Sequence, residues 1–176
     1  MEIRAKCNFD LEAIKALTHL SVFGKSNPKS KFRVWFIISL VLMAFIIFEM
    51  VFFSDIGILW MLCLTLLILL LECYLYFLLP KIRYKNLAKI KGAENEFVFC
   101  DDTLKVFTRC DEYKGEAEME YSLFPRVYET SDYFFLFQTN NQVYIVDKST
   151  IEGGTAEEIR SKLTANTKCK YIICSY

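Results

Sequence analysis

One histidine serves the whole 176-residue chain, and proline and glycine number only three and six. His19 alone leaves nothing to complete a Cys/His metal site or a His-based catalytic pair. No glycine-rich phosphate loop or nucleophile elbow occurs. The seven cysteines (Cys7, Cys63, Cys73, Cys100, Cys110, Cys169 and Cys174) are scattered and odd in number. They lack zinc-like spacing and read as reduced thiols acting as small hydrophobes. The expectation is therefore a protein that is not an enzyme and carries no cofactor and no metal.

Charge is missing where it is most informative. Residues 34–53 and 58–79 hold no Lys, Arg or His, and each run has a single acid, Glu49 in the first and Glu72 in the second. At 1.5 Å per residue each run spans about 30 Å, the thickness of a bilayer's hydrocarbon core. Only Ser54, Asp55, Ile56 and Gly57 separate them, so the two helices are expected as an antiparallel transmembrane hairpin. The first run starts too late, and lacks the small-residue cleavage site, for a removable signal peptide.

The formal net charge of zero conceals a segregation. Residues 1–33 carry seven Lys/Arg against three Asp/Glu, residues 81–91 five against none, and residues 92–176 nine against fifteen. Lys25, Lys29, Lys31 and Arg33 precede the first run, and Lys81, Arg83, Lys85, Lys89 and Lys91 follow the second. The turn between has Asp55 and no cation. The positive-inside rule places both termini in the cytoplasm, with Trp35 and Trp60 near opposite faces. The basic collar is expected to contact anionic head groups. The acidic distal part repels phosphate backbones, which excludes nucleic acid as a partner.

Intramembrane carboxylates are functional candidates by default. Glu49 lies about 22 Å, and Glu72 about 10 Å, from the inner ends of their helices. That separation is too large for a shared proton or ion, so each is read separately, as a polar contact for another membrane protein or a second copy of the chain, or as a protonated side chain tolerated in the bilayer.

The soluble parts read as follows. Ile3, Ala5 and Cys7 alternate with charged residues, the pattern of a half-buried strand. Leu11, Ile14, Leu17 and Leu20 recur at helical spacing after a cap at Asn8 or Asp10, and Gly24 stops the helix. His19 sits beside that apolar stripe as a surface or boundary residue. Pro80 closes the second apolar run, and a basic stretch leads to Gly92. Beyond it come short strands: 97–100 and 104–109 as a hairpin about Asp101 and Asp102, a polar turn over 111–115, and a strand with Glu116, Glu118 and Glu120 on one side. Further strands are expected at 126–130, 133–139 and 142–147. Gly153 and Gly154 read as a flexible turn. Thr155 and Glu158 have capping-box spacing ahead of a helix with Ile159 and Leu163 on its apolar face. Residues 170–176 are apolar enough for a strand without an evident place.

This predicts an α+β membrane protein: a two-helix transmembrane hairpin plus a cytoplasmic pleckstrin-homology-like (PH-like) β-roll or open barrel with one C-terminal helix. Its parts are 1–33, a strand and amphipathic helix; 34–80, the hairpin; 81–95, a basic juxtamembrane linker; and 96–176, the β domain. The order of parts resembles the YcxB-like family of small bacterial membrane proteins. So do the stretches Phe97, Val98, Phe99, Cys100, Asp101, Asp102; Tyr121, Ser122 through Val127, Tyr128, Glu129, Thr130; Asp132, Tyr133, Phe134, Phe135, Leu136, Phe137; and Tyr144, Ile145, Val146, Asp147, Lys148. Leu123 and Asp147 stand where members tend to have an acid and a proline. The resemblance implies a PH-like domain at a bacterial cell membrane and no assigned activity. The reading that follows is a membrane-anchored interaction module, a scaffold or regulatory subunit. The alternative is a homo-oligomeric lipid or envelope-stress sensor that binds anionic lipid through the collar.

Overall fold

A computed structural model describes residues 2–24, 27–52, 56–87, 93–110, 113–166 and 170–174. Strand β1 (Ile3–Asn8) buries Ile3, Ala5 and Cys7 and exposes the residues between them, as its alternation requires. Helix α1 (Leu11–Phe23) follows, capped by Asp10, whose carboxylate accepts from the Ala13 amide, and closed at Gly24 with φ +67°.

Two long helices come next, α2 (Pro28–Phe52) and α3 (Ile56–Cys73). They pack side by side with Ser39 and Ile46 buried on one and Thr65 and Leu69 on the other. Both are long and apolar enough to cross a membrane. A soluble core helix would be mostly covered, yet only 11% of each apolar window is buried. Val41 is 64% and Leu67 63% exposed.

The second helix does not stop at Pro80. A π-helical turn over Tyr74–Leu78 leads into α4 (Leu79–Asn86), with Pro80 in its first turn. Proline is tolerated there because its missing N–H falls where the ladder is already interrupted. Residues 81–86, expected in a linker, are therefore helical, and α4 packs against α1.

The β unit has two four-stranded sheets. β1 pairs antiparallel with β2 (Glu94–Phe99), β2 with β3 (Thr103–Cys110) and β3 with β4 (Tyr113–Glu120). The turn expected over 111–115 is shorter than that: β4 already begins at Tyr113, opposite Cys110, while Asp111 and Glu112 lie outside the described residues. The second sheet runs β7-β6-β5-β8, from β5 (Arg126–Glu129), β6 (Tyr133–Phe137), β7 (Val143–Asp147) and β8 (Lys170–Ile173). β8 gives the C-terminal segment its place, parallel to β5.

Helix α5 (Ala156–Asn166) starts with a reciprocal capping box. The Thr155 amide donates to Glu158 Oε2 at 2.9 Å, and the Glu158 amide to Thr155 Oγ1 at 3.2 Å. Its Ile159 and Leu163 are fully buried against a core that includes Phe97, Phe99, Phe124, Phe134 and Phe135. The turn before it is tightly packed. Gly153 has φ +75°, and a Cβ on Gly154 would lie 2.7 Å from Ile3. This close approach lets Arg4 and Glu152 exchange backbone hydrogen bonds of 2.9 and 2.8 Å, which ties β1 across both ends of the unit.

Candidate functional site at the base of the hairpin

Pro80 has no N–H to offer the Tyr76 carbonyl, the acceptor four residues back. His19 supplies the missing donor from another helix: its Nε2 lies 3.1 Å from the Tyr76 oxygen. Because a carbonyl only accepts, Nε2 carries the proton. The Tyr76 ring is sandwiched between the His19 ring at 4.7 Å and the Phe32 ring at 4.3 Å. His19, expected as a surface or boundary residue, is instead packed between helices. It is 6% exposed, because the hairpin covers a face of α1 that the isolated helix would present to water. Burial lowers its pKa below 6.5, against an opposing effect of the bond to Tyr76.

Further contacts fasten α1 to the hairpin. Lys31 Nζ donates to the Phe23 carbonyl at 2.8 Å, and Arg83 Nη1 to Ser21 Oγ at 3.1 Å. At their edge lies a cleft of about 290 Å³. One wall is Glu12, Lys15, Ala16 and His19; another is Asn27, Pro28, Lys29 and Tyr76; the third is the turn from Thr130 to Tyr133. Lys15 pairs with Glu12 at 3.3 Å. Lys29 and Asp132 are exposed and form no ion pair among the described residues.

The third wall is held from behind by Glu129. Its carboxylate is 2% exposed and accepts from Arg160 Nε at 2.8 Å, Arg160 Nη2 at 2.7 Å, Lys148 Nζ at 2.7 Å and the Tyr171 hydroxyl. Lys148 also donates to the Thr130 carbonyl at 2.6 Å and lies 4.6 Å from the Phe134 ring centre. Burial would raise the Glu129 carboxyl, but the hydrogen bonds from Arg160, Lys148 and Tyr171 outweigh it and hold the pKa down at about 2. One buried carboxylate therefore clamps β5, α5, β8 and the turn after β7.

The residues singled out from sequence are dispersed. Lys81, Arg83 and Lys85 are exposed along α4, with Lys81 and Lys85 one turn apart on one face. Lys89 and Lys91 lie outside the described residues. Glu72 Oε1 accepts from Ser39 Oγ at 3.0 Å across the hairpin, whereas its buried Oε2 has no hydrogen-bond partner among the described residues. Glu49 is half-buried, ten residues beyond Ser39 on α2 and so about 15 Å away along the axis. Burial raises the Cys7 thiol to about 12, with Asp147 and Asp10 adding to the effect, which makes it unreactive.

Sequence reasoning missed the cleft, the His19 bond and the Glu129 clamp. The proline inside a helical run was the available signal for the first two, since it orphans a carbonyl that something must satisfy.

No curated protein and no solved structure matches the chain. Of the strand motifs described above, the one at 97–102 precedes the segment that a family model covers and the others fall inside it. Residues 107–163, from β3 to α5, match the family described as YcxB-like protein, the family that the strand motifs resemble.

Proposed function

We propose that this is an integral protein of a bacterial cell membrane, a non-catalytic module that presents a PH-like β unit on the cytoplasmic side. It acts as a scaffold or regulatory subunit of another membrane protein. The observation that carries this reading is the fastening of the β unit to the hairpin through α1. The His19–Tyr76 bond, the aromatic sandwich and the α1–α4 contacts hold the unit in a fixed pose instead of on a slack linker. A fixed pose suits a protein that docks beside a partner in the same bilayer.

Two surfaces supply the contacts. The hairpin exposes apolar side chains along most of its length, with half-buried Glu49 and Glu72 as its two carboxylates. In the β unit, β4 is a sheet edge that carries Glu116, Glu118 and Glu120, an edge available for strand addition by a basic segment. Mild crosslinking in native membranes, followed by affinity purification and mass spectrometry, tests the reading. A stoichiometric second membrane protein supports it. Self-crosslinks with lipid alone favour the second reading, a homo-oligomeric lipid sensor, for which the cleft and the exposed Lys81 and Lys85 speak.

A further inference from the structure

We propose that the cleft beneath the hairpin binds the head group of a zwitterionic aminophospholipid, with the phosphate at Lys29 and the ammonium at Asp132. The inference rests on the membrane-inserted reading above.

Depth is the first argument. Pro28 and Lys29 stand five or six residues before Val34, about 8 Å along α2 from where the apolar run begins. The head-group layer on each side of a bilayer is about 5–8 Å thick, so Lys29 stands at its outer edge. Tyr76 sits about 5 Å inside the other end of the run, at the boundary with the acyl chains. A lipid lying against the hairpin brings its head group to this level without leaving the bilayer.

Charge is the second argument. The cleft holds two cations, Lys15 and Lys29, and two carboxylates, Glu12 and Asp132. The Lys15–Glu12 pair neutralises itself. What is left is one ammonium and one carboxylate on separate elements lining the cleft, the complement of a phosphate joined to an amine. An anionic glycerol head group would meet Asp132 with nothing to neutralise it. A choline head group has no N–H to give that carboxylate. An ethanolamine head group satisfies both walls. At about 290 Å³ the cleft is near the lower end of small-molecule sites, which suits a head group whose tails remain outside.

Rigidity is the third. The Asp132 wall is a tight turn, closed by the Thr130 amide on the Tyr133 carbonyl at 2.9 Å and braced by the Glu129 clamp. The Lys29 wall is the first turn of α2, where Asn27 Oδ1 accepts from the Lys29 and Ser30 amides at 2.9 and 3.2 Å. The two charges are therefore held by braced elements.

The test uses the full chain reconstituted into nanodiscs of equal phosphatidylethanolamine, phosphatidylcholine and phosphatidylglycerol. Native mass spectrometry after release then counts the lipid retained. Retention of phosphatidylethanolamine about tenfold over the other two is expected, the discrimination of one charge-assisted hydrogen bond. Asp132→Ala should abolish the preference over phosphatidylcholine, Lys29→Gln should weaken retention of every phospholipid, and Glu116→Gln, outside the cleft, should change neither. Equal retention of the three lipids, or a preference that survives Asp132→Ala, overturns the proposal and leaves the membrane-inserted reading standing. A chain that fails to float with vesicles overturns both. Displacement of the retained lipid by O-phosphorylethanolamine at concentrations below that of the lipid identifies a soluble ligand and overturns the lipid assignment.

Discussion

In the hairpin, Glu72 receives one hydrogen bond from the Ser39 hydroxyl, and its other oxygen is buried and bare. In the β unit, Glu129 is more deeply buried and receives Arg160, Lys148 and Tyr171. The same functional group is starved in one region and saturated in the other. The difference follows from what each region can supply. The apolar runs contain no cation, whereas the β unit draws donors from three separate elements onto one oxygen pair. In the hairpin one carboxylate oxygen has no hydrogen-bond partner among the described residues; in the β unit the carboxylate is fully committed to the fold. Apolar side chains show the mirror image, exposed around the hairpin and enclosed in the β unit.

The largest effect expected is from Glu129→Ala. It leaves Lys148 and Arg160 uncompensated, and loss of one partner from a buried pair costs about 3–5 kcal/mol. Denaturation of the purified full chain should register it as a large drop in melting temperature, and an unchanged midpoint would dissolve the contrast with Glu72. Acid reports the same clamp. Its folded pKa of about 2 lies below the ordinary 4.5, so its contribution is complete above pH 4.5 and is lost as pH falls toward 2. Near-UV dichroism of the β unit over that interval should follow this loss in the native chain and not in the variant.

Packing sharpens the comparison next. Gly154→Ala should destabilise by about 1–3 kcal/mol, because the new methyl group collides with Ile3. Leu67→Ala, on the exposed face of α3, should stay within about 0.5 kcal/mol. Comparable losses at both sites would mean that the hairpin is enclosed by protein.

His19 joins the two regions, and its effect is smaller. Its lowered pKa means that the folded chain resists protonation. The stabilisation is full above pH 6.5 and declines as pH falls below it. Protection of the α1 amides, corrected for the intrinsic pH dependence of exchange, should fall as pH drops below 6.5, and His19→Phe should remove that dependence. A small change is also expected for Glu72→Gln. The amide oxygen still accepts from Ser39, so stability should move by less than about 1 kcal/mol while any partner held through the Glu72 carboxylate is lost. Retention of every crosslinked partner would count against a recognition role for Glu72.

Much of this was legible in the sequence, and particular residues show why. Thr155 and Glu158 announced the start of α5 because a capping box is completed within one turn. Ile3, Ala5 and Cys7 announced a strand because alternation is local, although not that β1 would be stitched to Glu152. The proline at 80 was legible as the end of the apolar run, but not as a point the helix passes through. Its consequence depends on a donor from α1, His19, which lies fifty-seven residues before the Tyr76 carbonyl it reaches. Glu129 carried no signal, since its partners at 148, 160 and 171 meet it only after β8 has paired with β5. Gly153 and Gly154 looked like slack because the approach of Ile3 is invisible along the chain.

The sequence by itself determined the two long apolar helices, their short connection, the asymmetric basic flanks and most of the strands. Each of these is set by hydropathy, periodicity or capping over a few turns of chain, where the physics is local. Only the tertiary structure decided the two-sheet pairing, the passage of the helix through Pro80, the clamp at Glu129 and the cleft between Lys29 and Asp132. Each of those brings together groups distant in sequence, and their contact depends on how the apolar faces pack, which no local pattern encodes.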